Sequence, residues 1–235
     1  VKDYMWGGNR LRMEFGIKSD HDRIAEAWML SCNPAGASTI ANGAYAGQTL
    51  TDVLFPHTDE MGGSKNPKSI HFPLLIKLID AKNDLSIQVH PKDEYALAHE
   101  GGLGKTELWY ILEADEGAQI CYGFSRPITN EEMRRRIEDN TLLAVLNQIP
   151  VKKGDVFLIE AGTIHAIGKG ILLAEIQQNS NTTYRVYDYD RRDGYGNLRE
   201  LHIENALDVT DTSNVPSTLP APAQVQEDGH TKSCL

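Results

Sequence analysis

A mainly β fold, many short strands closed into a barrel or sandwich with a small helical insertion, is what this 235-residue chain predicts. Short runs of β-branched and aromatic residues recur at close spacing along most of its length. Gly, Asn and Pro turns separate them, as at Lys153-Gly154-Asp155 and Gly168-Lys169-Gly170. Helical periodicity is confined to a few places, so strands do not alternate with helices as a parallel α/β sheet requires.

In chain order, the runs that read as strands are Ile24–Leu30, Phe72–Ile79, Leu85–His90, Glu107–Leu112 and Ala118–Phe124. Val156–Glu160, Ile164–Ile167, Ile171–Gln177 and Thr183–Tyr189 follow. Lys92–His99, after Pro91 and before a Gly-rich break, reads as a short helix. The main helical insertion spans about 129–147: Thr129-x-x-Glu132 is a capping box, followed by Met133–Glu138 and a second apolar segment, Leu142–Leu146. From about Asp211, Pro216, Pro220 and Pro222 lie among Ser, Thr, Ala and Gln, which reads as a linker or tail over 211–235 after a domain at 1–210.

Lys and Arg number 23 against 33 Asp and Glu, a net charge of −10, which disfavours non-specific binding to nucleic acid or anionic lipid. No run approaches 18 apolar residues, so no membrane span is expected. The first ten residues hold no apolar signal segment and begin on Val rather than Met, as in a chain that has lost residues there. Cys32, Cys121 and Cys234 are odd in number and far apart, which suits a reducing cytoplasm.

The chemistry is concentrated in a few segments. In the strand Ser86-Ile-Gln-Val-His90, Ser86, Gln88 and His90 share one face while Ile87 and Val89 point the other way. Three polar groups on an inward face are costly unless something binds them. In Gly154-Asp-Val-Phe-Leu-Ile-Glu-Ala-Gly162-Thr-Ile-His165, a strand ends at Glu160, a tight turn uses Gly162 and the next strand presents His165. Glu107 opens a strand between the two segments. Two imidazoles, a carboxylate and an amide oxygen (His90, His165, Glu107 and Gln88) form a ligand set suited first to Zn²⁺, then to Fe²⁺ or Mn²⁺. The other histidines, His21, His57, His71, His99, His202 and His230, read as ordinary core or surface residues. Gly101-Gly-Leu-Gly-Lys-Thr106 is not a P-loop, because His99 stands where its first Gly is required.

These two segments resemble the motifs of the cupin superfamily, with Glu160 where Pro is usual, Gln88 for the first His, and an insertion at 91–106 before the Glu. Those departures are the mark of the type I mannose-6-phosphate isomerases. Their strings here are Trp6-Gly-Gly-Asn-Arg-Leu11, Ala25-Glu-Ala-Trp28, Phe72-Pro-Leu-Leu-Ile-Lys77, Leu85-Ser-Ile-Gln-Val-His-Pro91, Gly104-Lys-Thr-Glu107, Gly162-Thr-Ile-His165 and Glu175-Ile-Gln-Gln-Asn-Ser-Asn-Thr-Thr-Tyr-Arg185. They run to about Asp208.

The resemblance implies a cupin jelly-roll barrel and an enzyme carrying one Zn²⁺ that interconverts mannose 6-phosphate and fructose 6-phosphate. It carries over Gln88, His90, Glu107 and His165 as metal ligands, with Gln88 absent from the ligand set described in many homologues. Arg185, Lys105 and Glu175 are implied as catalytic, and Ser86, Lys77 and Trp28 as substrate-binding. The short bacterial-type members continue into a second β-barrel where this chain turns Pro-rich, so 211–235 is expected to be the start of a barrel that is missing. Longer members have an acidic residue four positions before the catalytic arginine, where Asn181 stands here.

Taken singly, Lys77 also fits a snorkelling strand-end lysine, Arg185 a surface partner of Asp188 or Asp190, and Trp28 core packing. Two rival functions remain at this level. A His-Glu-His cupin also suits a non-haem iron oxygenase, though an uncharged substrate has no use for the lysines and Arg185. A chain lacking its second barrel also suits binding of metal or sugar phosphate without turnover.

Overall fold

The computed structural model describes residues 1–55, 72–192 and 194–216, and the backbone of 224–227 and 230–233. His57, His71 and Cys234, and the side chain of His230, lie outside the described residues.

Two five-stranded antiparallel sheets carry the fold. The first is built from β1 (Glu26–Leu30), β2 (Leu74–Ala81), β9 (Ile171–Gln178), β4 (Glu107–Ala114) and β7 (Val156–Ile159), in that spatial order. The second runs β10 (Tyr184–Tyr187), β3 (Ile87–Val89), β8 (His165–Ile167), β5 (Gln119–Phe124) and β6 (Leu146–Pro150). All nine strands expected from the sequence are present. Among the described residues no hydrogen-bonded ladder joins the two sheets, so the jelly roll is a sandwich of two open sheets rather than a continuous barrel wall.

The helical insertion departs from expectation at one end. α4 (Asn130–Glu138) is capped as read, with Thr129 Oγ1 accepting from the Glu132 amide at 3.1 Å. The second segment is only a 3₁₀ turn, Leu142–Val145, and Leu146–Pro150 pairs as β6 against β5. From Asn147 to Pro150 half-buried and exposed residues alternate although the sequence itself shows no apolar alternation, and an unpaired edge of β5 was there to be covered. The helix after Pro91 is α3 (Asp93–His99). Three helices have no counterpart in the sequence reading: α1 (Arg10–Phe15), α2 (Leu50–Leu54) and α5 (Ile203–Val209). Within 211–235, β11 (Gln224–Glu227) pairs antiparallel with β12 (His230–Ser233).

Period-two alternation divides each strand between two cores. Ile79, Trp109, Ile111, Phe157, Ile159, Ile171 and Leu173 from the first sheet pack against Ile120 and Ile167 from the second, which makes the interior of the sandwich. Ile87, Val89, Phe124, Ala166 and Val186 point the opposite way, under Met133 and Ile137 of α4 and Ala206 and Leu207 of α5. Leu11 of α1 covers Ala27 and Leu172 on the back of the first sheet. Each fully buried Trp, Phe or Ile contributes about 1.5–3 kcal/mol of burial.

Register sets the site. Across the first sheet, Trp28, Lys77, Glu175 and Trp109 are successive partners, with Phe157 beyond Trp109. Across the second, Arg185, Gln88, His165 and Tyr122 form the matching row. Trp109 meets His165 edge-on at 5.5 Å, and Tyr122 meets Phe157 at 6.0 Å, so the two rows face each other across the interior.

Candidate metal centre and substrate cavity

His90, Glu107 and His165 converge with one potential ligand atom from each, all within 4.8 Å of one another, and all three are buried. His90 follows β3, Glu107 opens β4 and His165 opens β8. The turn before His165 depends on Gly162, whose φ of +92° favours glycine and whose amide donates to the His90 carbonyl at 2.8 Å. Gly104 is equally constrained, since a Cβ there would fall 2.5 Å from the Pro91 carbonyl oxygen. That close approach fixes the 101–106 loop in the service of Lys105 and Glu107, not of a phosphate.

The donor set fits a metal ion. His90 Nδ1 lies 2.9 Å from the Thr182 carbonyl and His165 Nδ1 2.9 Å from the Thr163 carbonyl, which directs both Nε2 atoms inward. Nε2 of His165 is 3.3 Å from Glu107 Oε1, and Nε2 of His90 is 3.6 Å from Oε2. Both Glu107 oxygens are buried without an aligned hydrogen bond, although Lys105 Nζ makes an ion contact with Oε2 at 2.7 Å. A buried carboxylate left in that state calls for a cation. Burial pushes Glu107 up to about 7, with Glu175 adding to the shift and Lys105 opposing it. Burial likewise lowers His165 to about 4 and drives His90 well below the ordinary histidine value, with Lys105 adding to the latter. Both imidazoles are therefore neutral, the form that binds metal. Gln88 Nε2 stands 3.5 Å from His165 Nε2, so its amide borders the same space.

Beside the triad lies a chain of buried charges. Lys105 Nζ is 3.2 Å from His90 Nε2 and 3.9 Å from Glu175 Oε1. Lys77 donates to Glu175 Oε1 at 2.8 Å and Trp109 Nε1 donates to Oε2 at 3.2 Å. Burial alone would raise Glu175, but Lys105 and Lys77 hold it down at about 2. Burial opposes the charge on Lys77, yet Glu175 and Glu26 raise its pKa above the ordinary lysine value. At 4% exposure Lys77 is not a snorkelling lysine.

Arg185 does not pair with Asp188 or Asp190. Its Nε donates to Ser86 Oγ at 3.1 Å and its Nη1 to the Glu200 carbonyl at 2.9 Å. Trp28 is half-buried, donates to Glu26 at 2.7 Å and lies 5.4 Å from Lys77 Nζ, a neighbour of the charge chain rather than core packing. Six of the predicted site residues, Lys77, Ser86, Gln88, Lys105, Glu175 and Arg185, line one cavity, whereas Trp28 and the His90, Glu107 and His165 triad are not among its lining residues. The same cavity also holds Tyr4, Glu26, Asn181 and Arg199, which the sequence reading did not select. Glu26 had a signal, two residues before Trp28 on the same face of a strand; Arg199 had none, because its stretch carries no strand or helix pattern. His99 stacks on Tyr95 at 4.0 Å, His202 takes the Arg185 amide at 3.3 Å and His21 is exposed, all apart from the metal site. No helix among the described residues is long and apolar enough to cross a membrane.

The family model for the phosphomannose isomerase type I catalytic domain matches residues 1–116. The mannose-6-phosphate isomerase of Streptococcus mutans is 48% identical over 217 residues, covering 92% of this chain and 67% of the relative. Mannose-6-phosphate isomerase ManA of Bacillus subtilis is 45% identical over 216 residues, with the same two coverages. The crystal structure of a mannose 6-phosphate isomerase from Bacillus subtilis superposes with a TM-score of 0.85 at 41% identity, covering 98% of this chain and 72% of that one. A buried His-Glu-His cluster beside a lysine-rich cavity, on a fold and sequence shared with these proteins, leads to one assignment: the chain belongs to the type I phosphomannose isomerase family.

Proposed function

We propose that this protein is a zinc-dependent aldose–ketose isomerase that interconverts D-mannose 6-phosphate and D-fructose 6-phosphate through a cis-enediolate, with one Zn²⁺ per chain. The observation that carries the reading is the continuity of the metal triad with the cationic cavity through Lys105, which contacts His90, Glu107 and Glu175 at once. His90, Glu107 and His165 hold the metal, and Gln88 borders it as a fourth donor. When bound, the ion supplies Lewis-acid stabilisation of negative charge on the sugar oxygens.

The chain's own groups do the rest. The carbon acid is weak, so the catalytic demand is for fixed positive charge where the enediolate oxygens develop theirs. Lys105 is held at that junction by Glu107 and Glu175, with its stem buried and its ammonium turned to the cavity. Arg185 is braced by Ser86 and by the Glu200 carbonyl, so its guanidinium is preorganised and stays protonated throughout. Glu175, ionised far below neutrality, serves to fix Lys77 and Lys105 rather than to abstract a proton. Lys77 and Ser86 form the substrate-facing wall around them, with the Trp28 ring 5.4 Å from Lys77 Nζ as its neighbour.

Every one of these residues falls within 1–210, which we read as the catalytic domain, with 211–235 as linker or tail. Cys32 and Cys121 are free thiols, which suits the cytoplasm. Proton NMR of mannose 6-phosphate incubated with the protein tests the reaction directly. Appearance of fructose 6-phosphate signals is the expected result. An unchanged sugar spectrum accompanied by dioxygen uptake would favour the oxygenase chemistry that a His-Glu-His site also permits.

A further inference from the structure

We propose that Arg199 is the residue that recognises the substrate's phosphoryl group, an inference that rests on the sugar-phosphate reading above. Four cations, Lys77, Lys105, Arg185 and Arg199, line the cavity against two carboxylates, Glu26 and Glu175, in a chain whose net charge is −10. Two of those cations are already neutralised by close contacts. Lys77 is paired with Glu175 at 2.8 Å, and Lys105 is paired with Glu107 at 2.7 Å. With Glu107 counted beside Glu26 and Glu175, four cations face three carboxylates, and the one surplus charge lies with the two arginines.

Arg185 has no carboxylate within ion-pair distance among the described residues; its bonds go to a hydroxyl and a carbonyl. Among the described residues, the carboxylate at ion-pair distance from Arg199 is that of Asp188, with Oδ1 at 3.4 Å. That oxygen is held more closely by Arg191, whose remaining donors reach the Asp188 and Asp84 carbonyls. Arg191 is thus engaged away from the cavity, whereas Arg199 lines it and touches Asp188 at 3.4 Å. Burial and then Arg199 lower the pKa of Arg185, with Asp188 opposing them, so an anion arriving between the two guanidiniums would be favoured by both. A phosphate dianion offers bidentate acceptors to a planar donor fork, the geometry arginine binds best.

With Arg185 committed to Ser86 and Glu200, the residue free to turn toward the phosphoryl oxygens is Arg199. It lines the same cavity as Lys105, the residue that contacts the metal triad.

The test is R199Q, with R199K alongside, on the metal-loaded protein. Binding of inorganic phosphate by calorimetry is read together with KM and kcat for mannose 6-phosphate. In R199Q we expect phosphate affinity to fall at least about 10-fold and KM to rise by a similar factor, with kcat within about threefold of wild type. R199K, which keeps the charge but not the fork, should fall between the two. A purely structural role would lower kcat and the unfolding midpoint and leave phosphate affinity in the folded fraction unchanged. Wild-type phosphate affinity in R199Q, or in R199K if R199Q does not fold, would overturn the assignment. A wild-type protein that binds phosphate through Arg199 without isomerising the sugar would refute the proposed reaction and leave the anion site standing.

Discussion

His165 and Glu107 come from opposite sheets of the sandwich, yet Nε2 of one lies 3.3 Å from Oε1 of the other. Apolar contacts also hold the two sheets, with Ile79, Trp109 and Phe157 facing Ile120 and Ile167, and the Tyr122 hydroxyl donates across them to the Leu158 carbonyl at 2.9 Å. A metal bound between His165 and Glu107 therefore clips the sheets together at the polar end of an apolar interior. The site's integrity and the fold's stability are linked through that contact, because a ligand of the native state alone adds to its stability.

Replacing Glu107 with Gln removes the anionic member of the triad while keeping its shape. Metal content after dialysis should drop from near one per chain to a small fraction, and kcat should fall at least about 100-fold. Elemental analysis together with turnover checks this. An E107Q protein that retains a full complement of metal would show that the ion sits elsewhere.

The Lys77–Glu175 pair is buried on both sides, at 5% and 4% side-chain exposure. Removing one partner strands a charge in the interior. K77M should lower stability by about 3 kcal/mol. K77M combined with E175Q should recover much of that loss, because the stranded charge is gone. Urea unfolding of the three proteins measures both numbers, and additive losses would contradict the pairing.

Gly162 is expected to resist substitution. A Cβ there meets the Val209 carbonyl oxygen at 3.2 Å, and its φ of +92° is unfavourable for any L side chain. G162A should cost about 1–2 kcal/mol and shift the turn that presents His165. A lowered unfolding midpoint together with looser metal retention is the expected pair of results, read by calorimetry and by chelator competition.

Metal affinity should weaken in mild acid. In the metal-free protein Glu107 takes up its proton at about 7, whereas His165 stays neutral until about 4. Above pH 7 the site is deprotonated and ready; below it, one proton must leave Glu107 for each ion bound. The apparent affinity should then fall toward ~10-fold per pH unit between about 7 and 5, and be nearly flat above 7. Competition against a chromophoric chelator at pH 8, 7, 6 and 5 gives the slope. A flat profile throughout would mean that Glu107 is already ionised in the empty site.

The legible parts of this molecule were those in which one residue's neighbours decide its conformation. The alternation of Ser86, Gln88 and His90 fixed their shared face, and Gly162 fixed the turn before His165, so the two histidines of the buried cluster could be read from local pattern. The strand β6 was not legible. Leu142–Leu146 is apolar enough for a helix, and only the open edge of β5 turns the chain into a strand at Leu146. Arg199 was hidden for a similar reason. It reaches the cavity from a segment that, among the described residues, pairs only through an isolated bridge between Arg192 and Leu198, and no periodicity announces it.

The most direct measurement is the conversion of mannose 6-phosphate to fructose 6-phosphate, followed by a coupled assay on protein stripped with chelator and then restored with Zn²⁺. Activity that disappears on stripping and returns with about one equivalent of zinc per chain is the result expected from the His90, Glu107 and His165 centre. Zinc that binds at this centre without producing turnover would contradict the account.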